Sequence, residues 1–259
     1  GFAKRSEKQL LADLEHPNFR VRQNAQFTLA GKGESVIPAL SKAVKSSKSL
    51  HVRLHSAWAL GQIAEASKAT RAGARSEALD VLIPLLGDAE PKIRGNVGRI
   101  LGDARYARAY DGLVKLTADS DAQVRALGCI ALGKLGRRES LQALFQVLRE
   151  NDNRDPHLRH AASYAASISG DLDDLLAAAK DPSEGVRMGV LLAMRRQERS
   201  EIALFLKDSS PRIVTEAARA INDVPIAVIT LSPRAQVADR WNDQALYSVA
   251  RQLQNELMK

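Results

Sequence analysis

The sequence predicts an all-α fold, a quasi-linear stack of about seven helix pairs. Three observations carry this. First, one short phrase recurs: a polar or Asp/Pro turn, a Val-Arg or close variant, small residues three or four positions on, then Leu-Gly. Its clearest copy spans 117–136, TADSDAQVRALGCIALGKLG, where Val124, Leu127, Ala131 and Leu135 keep the spacing of one helical face. Second, the arginines Arg22, Arg53, Arg94, Arg125, Arg159 and Arg187, with Val214 in the seventh slot, stand 31, 41, 31, 34, 28 and 27 residues apart. Third, the 259 residues are 45% hydrophobic but only 4% aromatic, which suits closely stacked Ala- and Leu-rich helices.

Taken in order, 4–15 reads as a first helix with Leu10, Leu11 and Leu14 apolar, and His16-Pro17-Asn18 as a turn. Residues 20–30 form the first helix of repeat one, broken by Gly31-Lys32-Gly33. Ser35 caps a second helix through Val44, with Val36, Ile37, Leu40 and Val44 as its buried stripe. Residues 51–64 and 78–86 make the next pair. The Ala-, Lys- and Arg-rich stretch 66–75 reads as an exposed connection that accounts for the 41-residue spacing. Pairs follow at 92–102 with 107–116, 122–135 with 140–148, 158–169 with 172–180, and 185–194 with 198–206. Gly133 and Gly136 read as C-terminal stops, because glycine tolerates a left-handed backbone. Residues 212–221 open a seventh unit. Residues 224–231 fit a helix better than a strand, and 235–259, with Val237, Trp241, Leu246, Val249 and Leu253, read as a covering helix. Length alone allows one or two domains. The repeat argues for one, a solenoid over 1–223 with 224–259 as its C-terminal helical cap.

Net charge is +8 and unevenly placed: residues 1–110 hold 18 Lys+Arg against 10 Asp+Glu, and the remainder is balanced. Such asymmetry points to an anionic partner. The one cysteine, Cys129, rules out an intrachain disulfide and a cysteine-based zinc cluster; mid-helix among apolar neighbours, it reads as a buried structural thiol. No apolar run approaches the ~20 residues of a membrane span, and the first residues carry no signal-peptide core. The chain opens on Gly1 rather than methionine, which reads as a segment cut from a longer protein.

Each helix pair has an apolar face that only a neighbouring pair can cover. The residue before each arginine faces that core. The arginines themselves are expected to form a structural ladder, reaching carboxylates of adjacent turns such as Asp88, Asp119, Asp121 or Asp181. The alternative for these positions is a basic ridge for nucleic acid.

The phrase resembles the HEAT repeat family across about residues 10–223. The resemblance implies an armadillo-type, right-handed α-superhelix that binds protein on a curved surface. Three phrases, LEHPNFRVRQNAQ at 14–26, RLHSAWALG at 53–61 and EAARAINDVPI at 216–226, resemble the HEAT section of planctomycete-type membrane-bound dehydrogenases. In those bacterial proteins a β-propeller precedes the repeats and a c-type haem module follows. The sequence has no Cys-x-x-Cys-His and no propeller pattern, so any redox role would belong to other parts of such a parent. That resemblance implies a spacer or docking domain in a periplasmic or other extracytoplasmic setting.

Other constellations were weighed against structural roles. His51 and His55 are four apart and His157 and His160 three apart, so either pair could share a helical face and hold a metal. No carboxylate completes a site in sequence, and Arg53 and Arg159 lie between the members. Trp58 and the basic N-terminal half faintly resemble HEAT-like DNA glycosylases, which stack side chains over a flipped base; its apolar neighbours favour core packing. Lys42, Lys45 and Lys48 align as a weak anion-binding candidate. No catalytic, cofactor-binding or metal set assembles. The expected function is a non-catalytic scaffold, monomeric, with no cofactor and no membrane insertion, partnered by another protein or by neighbouring domains of its parent chain. The alternative is a nucleic-acid-binding solenoid of the DNA glycosylase type that uses the basic N-terminal half.

Overall fold

A computed structural model describes residues 1–68 and 72–223, and the expected cap at 224–259 lies outside them. Thirteen α-helices are described: α1 (Glu7–Asp13), α2 (Phe19–Gly31), α3 (Ile37–Ser46), α4 (Leu50–Ala66), α5 (Ala72–Asp80), α6 (Pro91–Asp103), α7 (Tyr110–Leu116), α8 (Ala122–Leu135), α9 (Leu141–Asn151), α10 (Pro156–Ser169), α11 (Leu172–Ala178), α12 (Glu184–Arg196) and α13 (Pro211–Asp223). Short 3-10 helices complete the pairs, notably at Ile83–Gly87 and Ser200–Lys207. The fold class is the all-α helical solenoid.

Two compact units divide between Ser140 and Leu141. In the first, α2, α4, α6 and α8 pack side by side in one row. The second row is made by α1, α3, α5 with Ile83–Gly87, and α7, each lying on a first-row helix. The core sits between the rows, where Leu10, Leu40, Leu60, Leu101 and Leu113 are fully buried. In the second unit α10, α12 and α13 form one row; α9, α11 and Ser200–Lys207 pack against it.

Helix starts follow side-chain chemistry. Asn18 accepts from the Arg20 N–H at 2.9 Å, and Asp121 from Gln123 and Val124 at 2.9 and 3.0 Å. Asp155 accepts from His157 and Leu158. Each satisfies donors that the helix itself leaves unpaired. Gly136 ends α8 with φ 67°, a left-handed turn; Gly133 is instead a buried residue inside that helix.

Several expected elements differ, the helix expected at 198–206 being the 3-10 helix Ser200–Lys207. Ser35 does not cap α3; it lies in the 3-10 turn Gly33–Val36 and its hydroxyl donates to the Lys32 carbonyl. The stretch 66–75 is an exposed connection only in part: Ala66, Lys68 and Gly73 are exposed, but helices enter it from both ends. α4 runs through Ala66 and α5 begins at Ala72, Ala74 is buried, and Arg75 donates to the Ala104 carbonyl at 2.5 Å. Alanines favour helix at both ends of that stretch; its residues 69–71 are not described. Beyond α5 the partner helix is replaced by the 3-10 turn Ile83–Gly87, where Pro84 supplies no N–H for an α-helical bond.

Packing is close enough to be limited by backbone. A Cβ built on Gly102 of α6 would lie 2.6 Å from the Ala131 Cα of α8, so the small-residue positions are set by helix approach.

Candidate functional site

The repeated arginine stands on the first turn of each first-row helix, where its guanidinium can reach back over the preceding turn and forward to the next. In four repeats one nitrogen, Nη1, grips the two carbonyls six and five residues upstream. Arg22 donates to His16 and Pro17 at 2.8 and 2.9 Å, and Arg94 to Asp88 and Ala89 at 2.8 and 3.1 Å. Arg125 donates to Asp119 and Ser120 at 2.8 and 3.2 Å, and Arg187 to Asp181 and Pro182 at 3.0 and 3.1 Å. These carbonyls are left over where one helix ends and the next begins, and the cation satisfies them.

The other edge of the guanidinium reaches the next turn. Arg94 forks onto Asp119 at 2.6 and 2.7 Å, and Arg187 onto Asp208 at 2.7 and 3.0 Å. Arg53 pairs with Asp88 and also donates to the Val44 carbonyl. The same aspartates accept a backbone N–H two residues on, from Glu90, Asp121 and Ser210. Hydrogen bonds from Arg94, against the opposing effect of burial, hold the Asp119 carboxyl below the usual carboxylate range. Burial pushes Asp88 and Asp208 up, but their arginines and turn N–H groups together outweigh it, and both lie below that range.

The remaining positions differ from the expected carboxylate partners. Asp121 is the cap of α8. Asp181 is taken by Arg149 at 2.8 Å, and no side-chain bond of Arg159 is found among the described residues. Arg22 turns to His55 because the facing turn, Ser46-Ser47-Lys48-Ser49, offers no acid.

His55 heads a buried polar chain between α2 and α4. Arg22 Nε donates to His55 Nε2 at 3.3 Å, so the ring proton belongs on Nδ1, which faces Gln26 Oε1 at 2.7 Å. Gln26 in turn donates to Gln62 at 3.1 Å. His55 is 2% exposed; burial first, then the charge of Arg22 and the neighbouring His51, lowers its pKa to about 4. Both ring nitrogens are engaged in this chain, while His51 is exposed. His157 and His160 are exposed on α10. Neither pair gains a third metal-ligating side chain among the described residues.

Trp58 is half-buried rather than in the core. It meets His55 edge-on, with centroids 4.9 Å apart, and donates its N–H to Asn96 at 3.1 Å. Lys42 and Lys45 lie exposed on α3, and Lys48 in the turn beyond, with no bond of their ammonium groups among the described residues. Burial pushes the Cys129 thiol up to about 12, which leaves it unreactive. Sequence reasoning missed the His55–Gln26–Gln62 chain. Its signal was available in Gln26, which stands four residues after the repeat arginine where the other repeats carry Ala57, Gly98, Cys129, Ser163 and Leu191.

Helix pairs stacked through a repeated arginine define a helical-repeat protein. A family described as HEAT repeats matches residues 7–72, 79–166 and 111–195, and one described as HEAT-like repeat matches 50–103. The chain belongs to the HEAT-repeat family. No match to a curated protein is found. Among solved structures, the chain resembles Kap95p, seen bound to RanGDP, at TM-score 0.56 and 13% identity, covering 83% of this chain and 34% of that one. It also resembles the Escherichia coli protein YibA at TM-score 0.53 and 18% identity, over 97% and 93% of the two chains. The CpcE–CpcF complex of phycocyanin lyase from a Nostoc species matches at TM-score 0.48 and 20% identity, over 71% and 75%. These likenesses are of fold.

Proposed function

We propose that this chain is a non-catalytic scaffold that binds another protein, acting as a docking or spacer domain within a larger parent. The observation that carries the reading is how the repeated arginines are spent. Four of the six hold turn carbonyls, and three reach the next turn's aspartate, so the most frequent charged group in the motif maintains the stack. Family membership supports it, as does the fold likeness to Kap95p, a protein seen with a bound partner. The reading includes a monomeric state, a single solenoid capped by 224–259, and an extracytoplasmic parent of the membrane-bound dehydrogenase type. Cross-linking of the chain in its native cell, followed by reconstitution with the purified candidate, tests it. A stoichiometric complex is expected. Substrate turnover by the purified chain would overturn the reading.

One observation favours a second reading, a nucleic-acid-binding solenoid. Lys42, Lys45 and Lys48 are exposed in the half of the chain that holds the whole positive excess. Duplex binding that weakens steeply with salt and is abolished by Lys42→Glu with Lys45→Glu is its signature. Absence of binding at low salt would remove it.

A further inference from the structure

Two of the five phenylalanines stand half in water on one helix: Phe19 is 53% and Phe27 50% exposed, both on α2. With Gln23 between them they are spaced by four, so they mark a strip about 12 Å long on the helix surface. Isolated exposed apolar residues are ordinary, but two large rings on a single helix are concentrated.

The floor at the Phe19 end of this strip is fixed. The Phe19 ring lies 6.4 Å from the His55 ring, and the Arg22 guanidinium stands 5.8 Å above Phe19. Arg22 and His55 belong to the buried chain that runs to Gln26 and Gln62. Trp58 also meets His55, edge-on. A ring held on such a base loses little freedom when a partner covers it.

On α2 and over most of α4 the charge has one sign. α2 contains Arg20 and Arg22 and no carboxylate. The one acid of α4 is Glu65, at the far end of that helix and paired with Lys68. Arg20 and His51 are exposed, and no ion pair of either is found among the described residues.

Building on the reading as a protein-binding scaffold, we propose that the α2–α4 face around Phe19, Gln23 and Phe27 docks an acidic segment of a protein partner. The partner brings an aliphatic or aromatic side chain to the phenylalanines and carboxylates to the Arg20 guanidinium and to a ring N–H of His51. Apolar contact supplies affinity at the centre and the charges supply steering and register at the rim. A nucleic acid fits less well. It needs a run of cations to track its backbone, and the exposed lysines Lys42 and Lys45 stand on α3, in the other row of helices.

The test is selection of a displayed library of random peptides against the whole chain, followed by affinity measurements on the enriched sequences. Enriched peptides should be net negative and carry an aliphatic or aromatic residue. Their affinity should fall about tenfold or more in Phe19→Ser and Phe27→Ser, and by less in Arg20→Glu. Leu204→Ser, which alters an equally exposed apolar residue of the second unit, should leave affinity unchanged. Melting curves of all variants confirm that they fold. Peptides that bind equally well to the phenylalanine variants would overturn this surface and leave the scaffold reading standing. Enrichment of neutral or basic peptides would overturn the partner chemistry. Failure to enrich any peptide, or an oligonucleotide whose binding is lost in the same variants, would overturn the proposal.

Discussion

Arg187 and Asp208 face each other as a two-pronged pair, Nε to Oδ2 at 2.7 Å and Nη2 to Oδ1 at 3.0 Å, with side chains only 13% and 7% exposed. The same guanidinium holds two carbonyls of its own turn. One residue therefore fastens two successive turns within the second unit.

Removing it should be expensive. Arg187→Ala strands a nearly buried carboxylate and frees two carbonyls, so unfolding free energy should drop by about 2–4 kcal/mol in denaturant titration. Arg187→Lys should recover only part of this, since an ammonium cannot fork onto a carboxylate while holding the carbonyls.

Acid should act on the fold in two windows. His55 has a folded pKa near 4 against 6.5 for the free ring, so the unfolded chain binds the extra proton between those values. Its contribution is complete above pH 6.5 and is lost as pH falls toward 4. The loss should be about 1–2 kcal/mol once solvent screening is allowed for. Melting temperature against pH should show this decline, and His55→Gln should flatten it.

The aspartates act at lower pH. Asp88, Asp119 and Asp208 all have carboxyls below the ordinary range in the folded chain. Their stabilisation is present above the unfolded carboxylate pKa of about 4 and disappears as pH falls through the folded values. Asp119→Asn should shrink this second decline and leave the His55 window in place.

The repeat was legible because its signal is local. Val-Arg before small residues, an Asp/Pro turn and a period near thirty residues each act within one helix pair, and Asp121 and Asp155 cap the helices that follow their turns. Partners across pairs were less legible. Arg22 meets His55, 33 residues away, only because the facing turn lacks an acid, and that depends on which turns stacking brings together. Trp58 reads as core in sequence, yet its N–H needed Asn96 on α6, which keeps it at the edge. The start of α5 was hidden because an Ala/Arg-rich stretch has no apolar period to mark it.

Two glycines should respond oppositely to alanine. Gly102→Ala forces a methyl against the Ala131 backbone and should cost about 1–3 kcal/mol. Gly73 in α5 has nothing within 4 Å of its would-be Cβ among the described residues, so Gly73→Ala should add about 0.5 kcal/mol. Thermal unfolding of both variants checks the pair.

The central claim is that the repeat arginines lock successive turns together. A double-mutant cycle on Arg94 and Asp119, using Arg94→Ala and Asp119→Ala singly and together, tests it most directly in the first unit. The account predicts a coupling of about 1.5–3 kcal/mol from equilibrium unfolding. Additive losses, with coupling indistinguishable from zero, would contradict it.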